Sequence, residues 1–269
     1  MGYQHLEIER DGHIAFLWLD RPEKRNALSW DMWEDIPAAM AELDADDSAR
    51  VVILAGRGPA FTVGIDIELL ASMQPAGPSP ASSNMELYQL IRRMQDTASC
   101  LSYSPKPVIA AVHGYCLGAG LDLITACDIR LAAEDAIFSI RETRMGLVAD
   151  IGTLQRLPAI VGPGHTAELT FTGRDIDSAQ AMAIGLINGI QPDSAATVEA
   201  AKELAAEIAD NSPLVVRGIK RVLAANDGRT VEQALDYVAQ WNASYLISDD
   251  LMEAVAAFTE KRKPDFTGH

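Results

Sequence analysis

PVIAAVHGYCLGAGLDLITACDIRLAAEDAIF, residues 107–138, decides the fold. Val108–Val112 is apolar without alternation, the pattern of a strand buried on both faces. Gly114, Gly118 and Gly120 then mark a turn, and a helix runs on through Ala126. Asp128–Ala133 and Ala136–Ile140 read as two more short strands. Strand, glycine turn, helix and strand in succession are the units of an α/β domain.

The flanking sequence repeats these units. Residues 3–19 read as a hairpin, with apolar stretches around Leu6–Ile8 and Ile14–Leu19 on either side of Asp11-Gly12. The second stretch is apolar on both faces, so it is a central strand. RPEKRNALS (21–29) is a polar loop leading into a helix from about Trp30 to Leu43, and the β-branched run Val51–Ala55 is a buried strand ended by Gly56, Gly58 and Pro59. QPAGPSPASSN (74–84) has three prolines and little apolar surface, and reads as a mobile surface loop. Leu87, Leu90, Ile91, Met94, Ala98 and Leu101 follow at helical spacing and predict a helix ending near Pro105. From Gly152 onward the chain is mostly helical, and one late helix carries Val231, Ala234, Leu235 and Val238 on one face. With no linker and no internal repeat, this is one α/β core (1–193) followed by a helical C-terminal region (194–269).

Composition narrows the function. The 269 residues include 22 basic and 38 acidic side chains, a net charge of −16, which disfavours a phosphate-coating nucleic-acid binder. Hydrophobic residues make up 48%, enough for a full core, yet no apolar run reaches the roughly 20 residues of a membrane span. MGYQHLEIER lacks an apolar signal core and DFTGH is not a peroxisomal tripeptide, so a cytoplasmic protein is expected. Cys100, Cys116 and Cys127 have no paired spacing and read as reduced, and the five histidines lack ligand spacing, so no metal is expected. His113 reads as a packed turn residue. GYCLGAG fits a nucleotide-type GxxxGxG pattern, but it lies mid-chain, no Tyr-x-x-x-Lys exists, and Asp122 would face an anionic cofactor. GxSxG, GKS/GKT and HExxH are absent.

Two glycine-bearing turns remain, AFTVGIDI (60–67) and CLGAGLD (116–122). Free backbone N–H groups at such turns, aimed at one point, form an oxyanion hole. Three acids follow among apolar neighbours: Asp122, Glu142 and Asp150. Taken singly, each has a structural reading: a helix or capping acid, an ion pair with Arg141 or Arg144, and a cap for the helix starting near Gly152.

AFTVGIDI, the 110–138 stretch and GTLQRLP (152–158) together resemble the crotonase (enoyl-CoA hydratase/isomerase) superfamily over about residues 5–260. The resemblance implies a spiral of ββα units, a helical C-terminal trimerisation region, a homotrimer or homohexamer, and an acyl-CoA thioester substrate, coenzyme A being part of the substrate and no separate cofactor. It places the oxyanion donors at Val63 and Ala119, the latter where glycine is common. It places substrate contacts at Lys24, Arg25, Ala27, Gly64, Ile65, Asp66, Ile67 and Gly120. FTVGID, LDLITACDIR, Glu142 and GLVADIGTLQRLP (146–158) are more specifically similar to the dienoyl-CoA isomerases of that superfamily, which use three acids. Ordinary hydratases commonly carry Pro-Gly where this chain has Ala149-Asp150.

That implies conversion of a 3,5-dienoyl to a 2,4-dienoyl thioester. Glu142 serves carbon 2, Asp150 protonates carbon 6, and Asp122 supports both. The other readings are a 2-enoyl-CoA hydratase using Asp122 and Glu142 and, more distantly, an acyl-CoA-binding or RNA-binding member without turnover. Lys261, Arg262 and Lys263 read chiefly as solvated charges, and Asp128 and Arg130 as structural.

Overall fold

β1 (Leu6–Asp11) and β2 (Ile14–Leu19) pair antiparallel around Gly12, whose φ of 58° suits a residue without a Cβ. From β2 the sheet continues in parallel through β3 (Val51–Gly56), β4 (Val108–Val112), β6 (Ile129–Ala133) and β9 (Gly189–Gln191). β5 (Tyr115–Leu117), β7 (Ile137–Ser139) and β8 (Ile176–Asp177) form a second, smaller sheet. The computed structural model describes residues 2–73 and 77–269.

The unbroken apolar runs of β2, β3 and β4 are explained by burial on both faces. Leu17, Leu54 and Ala110 face one apolar cluster, while Phe16, Ile53 and Ile109 face another. The first cluster is covered by α1 (Trp30–Ala45), α3 (Pro80–Tyr103), α4 (Ala119–Ala126) and α5 (Thr153–Thr172). The second is covered by α7 (Ser194–Ala209), which presents Ala201, Ala205 and Ala209 at four-residue spacing and so packs close to the strands. α6 (Ser178–Ala183) joins β8 to β9, and α8 (Pro213–Ala225), α9 (Val231–Tyr245) and α10 (Asp249–Glu260) complete the chain. α9 buries none of its residues: Val231 is 78% and Leu235 61% exposed. Among the described residues no helix is long and apolar enough to cross a membrane.

The reading of 74–84 as a loop requires correction. α3 already begins at Pro80, where Ser79 caps it by accepting from Ser82 N at 3.2 Å. Proline at the first helical position has no N–H to lose to the helix, so here it marks a start and not a break. Residues 74–76 lie outside those described. Short β5, β8 and β9, of two or three residues, were not anticipated because so few side chains carry no periodicity. α5 holds a break at Gly162 (φ 79°) before Pro163, where the helical hydrogen-bond ladder is interrupted.

Candidate active site

The two glycine turns lie side by side. Phe61 N donates to His113 O (2.8 Å), Thr62 N to Tyr115 O (2.9 Å), and Leu117 N to Thr62 O (3.1 Å). A Cβ at Gly64 would stand 2.7 Å from Leu117 O and 3.3 Å from Ala119 N, so only glycine permits this approach. Gly120 is equally constrained, since a Cβ there would meet Thr62 Cγ2 at 2.8 Å. Gly120 therefore holds the turns together, buried against Thr62 and Cys116.

Ala119 opens α4, where a backbone N–H has no acceptor within the helix. Val63 differs from expectation. Its N–H is not free but donates to Arg25 O at 3.2 Å, near the long end for such bonds.

That carbonyl belongs to a loop locked by residues the sequence reading had not singled out. Asn26 is fully buried in a left-handed conformation (φ 56°). Its Oδ1 accepts from Arg21 N (2.7 Å), its Nδ2 donates to Arg57 O (2.9 Å) and Ala60 O (2.8 Å), and its carbonyl accepts from Thr62 Oγ1 (2.5 Å). The available signal was asparagine within a polar loop, because asparagine tolerates positive φ. Leu28 N donates to Gly64 O and Asp66 N to Leu28 O, which docks this loop on the first turn.

The expected substrate contacts divide accordingly. Ala27 is buried, and its carbonyl accepts from Arg21 Nη1 (2.9 Å). The Asp66 carboxylate is taken by Arg21 Nη1 (2.6 Å) and by Glu68 N, which caps α2 (Ile67–Ser72); Arg21 also holds its pKa down. Asp66 thus orders the turn and has no free charge for a ligand. Lys24 Nζ donates to Glu68 at 3.3 Å, and the Arg25 guanidinium lies 5.8 Å from the centre of the Tyr115 ring. Ile65 is half-buried and Ile67 is 69% exposed.

The three acids converge from three elements. Asp122 is buried on α4, and its Oδ1 accepts from both Thr153 N (2.6 Å) and Thr153 Oγ1 (2.7 Å), so it caps α5 from outside that helix. The expected cap for α5, Asp150, makes no such bond. Asp122 Oδ2 is buried without a partner among the described residues. Burial raises the Asp122 pKa to about 7, against the Thr153 bonds and with a further upward push from Glu142.

Glu142 sits on the 3₁₀ turn Arg141–Met145, beside the Ala119 turn: a Cβ at Gly118 would lie 3.4 Å from Glu142 Oε1. It forms no ion pair among the described residues, and Arg141 pairs instead with Asp175 at 2.8 Å. Burial raises its pKa, and the field of Asp150 raises it further. Asp150 is half-buried, and burial raises its pKa as well. Gln95 Nε2 on α3 donates to Asp150 O at 2.6 Å and fixes that residue's backbone.

Around the site, Arg130 donates to Leu186 O and Cys127 O (both 2.7 Å), which ties β6 to the end of α4. Asp128 accepts from Val108 N and Lys220 Nζ (both 2.7 Å). His113 Nε2 lies 2.9 Å from Gly58 O. Of the C-terminal cations, Arg262 pairs with Glu253 and Glu260, and Lys263 with Asp210. Arg262 and Lys263 stay exposed, as expected of solvated charges, but each is ion-paired within the chain.

Residues 9–269 match the family model described as enoyl-CoA hydratase/isomerase. The chain belongs to the enoyl-CoA hydratase/isomerase family. Among the relatives of this family member is the peroxisomal Δ(3,5)-Δ(2,4)-dienoyl-CoA isomerase of Arabidopsis thaliana, 43% identical over 98% of each chain. The mitochondrial protein of the same name from Homo sapiens is 41% identical, over 97% of this chain and 81% of the relative. A probable enoyl-CoA hydratase of Bacillus subtilis is 34% identical over 98% of each. The crystal structure of an enoyl-CoA hydratase from Bacillus anthracis superposes with a TM-score of 0.91 at 30% identity, covering 99% of this chain and all of that one. The crotonase-like fold expected for the family member is therefore the one it has. The expected cytoplasmic location is overturned, because the dienoyl-CoA isomerases it resembles in Arabidopsis thaliana, Dictyostelium discoideum and Homo sapiens are named as peroxisomal or mitochondrial proteins. Charge and apolar content govern solubility, whereas compartment is an address read by receptors.

Proposed function

We infer that the protein is a dienoyl-CoA isomerase, converting a 3,5-dienoyl-CoA to a 2,4-dienoyl-CoA. The observation that carries the reading is the convergence of three carboxyls, with Glu142 beside the Ala119 turn and within the fields of both Asp122 and Asp150. Names borne by relatives at 40–43% identity support it.

In this reading the thioester oxygen accepts from the Ala119 N–H, and from the Val63 N–H once it displaces the Arg25 carbonyl. Each such donor contributes on the order of 3 kcal/mol to the developing oxyanion. Glu142, as carboxylate, takes the proton from carbon 2. The electron pair delocalises through the diene into a dienolate, and Asp150, as carboxylic acid, delivers a proton to carbon 6. Glu142 ends protonated and Asp150 ionised, and exchange with solvent restores both. Carbons 2 and 6 are too far apart for one carboxyl to serve both, so a second acid of raised pKa is required. The reaction is redox-neutral proton transfer and needs no separate cofactor. In this reading Lys24 and Arg25 are the cations that meet the phosphates of coenzyme A.

Residues 194–269 carry assembly in the same reading, as a homotrimer or homohexamer. α8–α10 expose Val215, Ile219, Leu223, Val255 and Phe258, apolar surface that a second copy would cover.

Purified protein is mixed separately with a 3,5-dienoyl-CoA and a 2-enoyl-CoA, and each is followed by ultraviolet absorbance. Rapid appearance of the conjugated 2,4-dienoyl thioester with slow hydration of the enoyl substrate is the expected result. The reverse order of rates assigns a hydratase, and binding of both without turnover assigns an inert acyl-CoA binder.

A further inference from the structure

We propose that Arg156 is a positioning residue for the acid cluster: clamped between Ser99 and Gly152, its guanidinium fixes the start of α5 against Asp122 and sets a positive charge beside that carboxyl. Its effect on turnover rests on the isomerase reading above; its effect on Asp122 does not.

Arg156 lies in the first turn of α5, and its side chain folds back over the helix start. A Cβ at Gly152 would fall 1.8 Å from Arg156 Nη1 and 2.9 Å from its Cζ, so the guanidinium occupies the space that only glycine leaves open. Gly152 itself has φ 140°, a conformation that side-chain-bearing residues avoid. Nη2 donates to Ser99 Oγ on α3 at 2.8 Å. Nη1 is buried with no hydrogen-bond partner among the described residues, as is Asp122 Oδ2. An arginine with an unused donor and an acid with an unused acceptor thus flank one helix start.

Helix stability does not account for this placement. The N-terminus of a helix carries partial positive charge, so a cation there is unfavourable. The charge instead opposes the burial of Asp122 and favours its ionised form, while Glu142 acts in the other direction. Cys116, also within the field of Asp122, is a buried thiol held far above its usual range.

The test compares R156Q, R156K and S99A with the wild type. Difference infrared titration against D122N reads the Asp122 carboxyl directly, and the pH profile of kcat/KM on a 3,5-dienoyl-CoA reads the consequence. R156Q is expected to raise the Asp122 midpoint, the direction expected when a nearby opposite charge is lost. R156K keeps the charge and so holds the midpoint within about half a unit, but it loses the forked anchor and lowers kcat more than it changes KM. S99A also lowers kcat without moving the midpoint. An unmoved midpoint in R156Q, or an equal shift in R156K, overturns the proposal. If R156Q does not fold, unchanged kcat and pH profile in both R156K and S99A overturn it. If the wild type does not turn over a dienoyl-CoA, the isomerase reading fails and the infrared titration still decides the role of Arg156.

Discussion

Replacing Asp122 by asparagine should stabilise the protein at alkaline pH while impairing it as a catalyst. The Asp122 carboxyl is buried, and its pKa stands at about 7, against an ordinary 3.8. A folded-state pKa above the unfolded one means that the folded protein binds the proton more tightly. The resulting stability is fully present below the unfolded pKa and is lost as pH rises through the folded pKa. At 1.36 kcal/mol per pH unit, the loss is about 2 kcal/mol by pH 5 and about 4 kcal/mol by pH 8.5.

D122N carries no charge, so it escapes this loss. Its amide oxygen can keep both bonds from Thr153, and its NH₂ replaces the unpartnered Oδ2. That unpartnered amide costs about 1–3 kcal/mol, but the cost is the same at every pH. The pH-dependent part remains: the stability of D122N relative to wild type should rise by about 2–3 kcal/mol between pH 5 and pH 8.5. Urea unfolding of both proteins at matched concentration, at those two pH values, measures it. A difference that is flat with pH would refute the reasoning, because Asp122 would then titrate as it does in the unfolded chain.

Asp150→Asn removes the donor for carbon 6 and is expected to slow dienoyl isomerisation by 10²–10⁴-fold, roughly the loss for a missing general acid, while carbon-2 proton exchange in deuterated solvent survives better. Residual isomerisation within about threefold of wild type would make Asp150 a bystander. Glu142→Gln should abolish both isomerisation and exchange in the same assays, and retained exchange would move the base elsewhere. Asn26→Ala leaves the Arg57 and Ala60 carbonyls and the Arg21 N–H without their partner, so a drop in stability of about 1–3 kcal/mol or more and a raised KM are expected, checked by urea unfolding and initial rates. Light scattering at micromolar concentration should give a trimer or hexamer, and a mass near the 29.0 kDa of one chain would refute assembly.

What the sequence determined by itself was the set of parts. Runs such as Val51–Ala55 and Val108–Val112 are apolar at every position, so they can only be strands covered on both sides, and the glycines of 60–67 and 114–120 mark where backbone must meet backbone. Motif resemblance then singled out Asp122, Glu142 and Asp150, although they stand 20 and 8 residues apart in the chain. Tertiary structure decided what those parts do to one another. That Asp122 caps α5 through Thr153, that Val63 N–H is held by Arg25 O, that Asp66 is consumed by Arg21, and that Arg156 folds over Gly152 are contacts between residues distant in sequence or folded back within a turn. Periodicity reports only which face of an element is apolar, and it is silent on which polar atom meets which. The raised pKa values of the three acids follow from the same cause, because desolvation exists only once the surrounding elements have closed around the carboxyls.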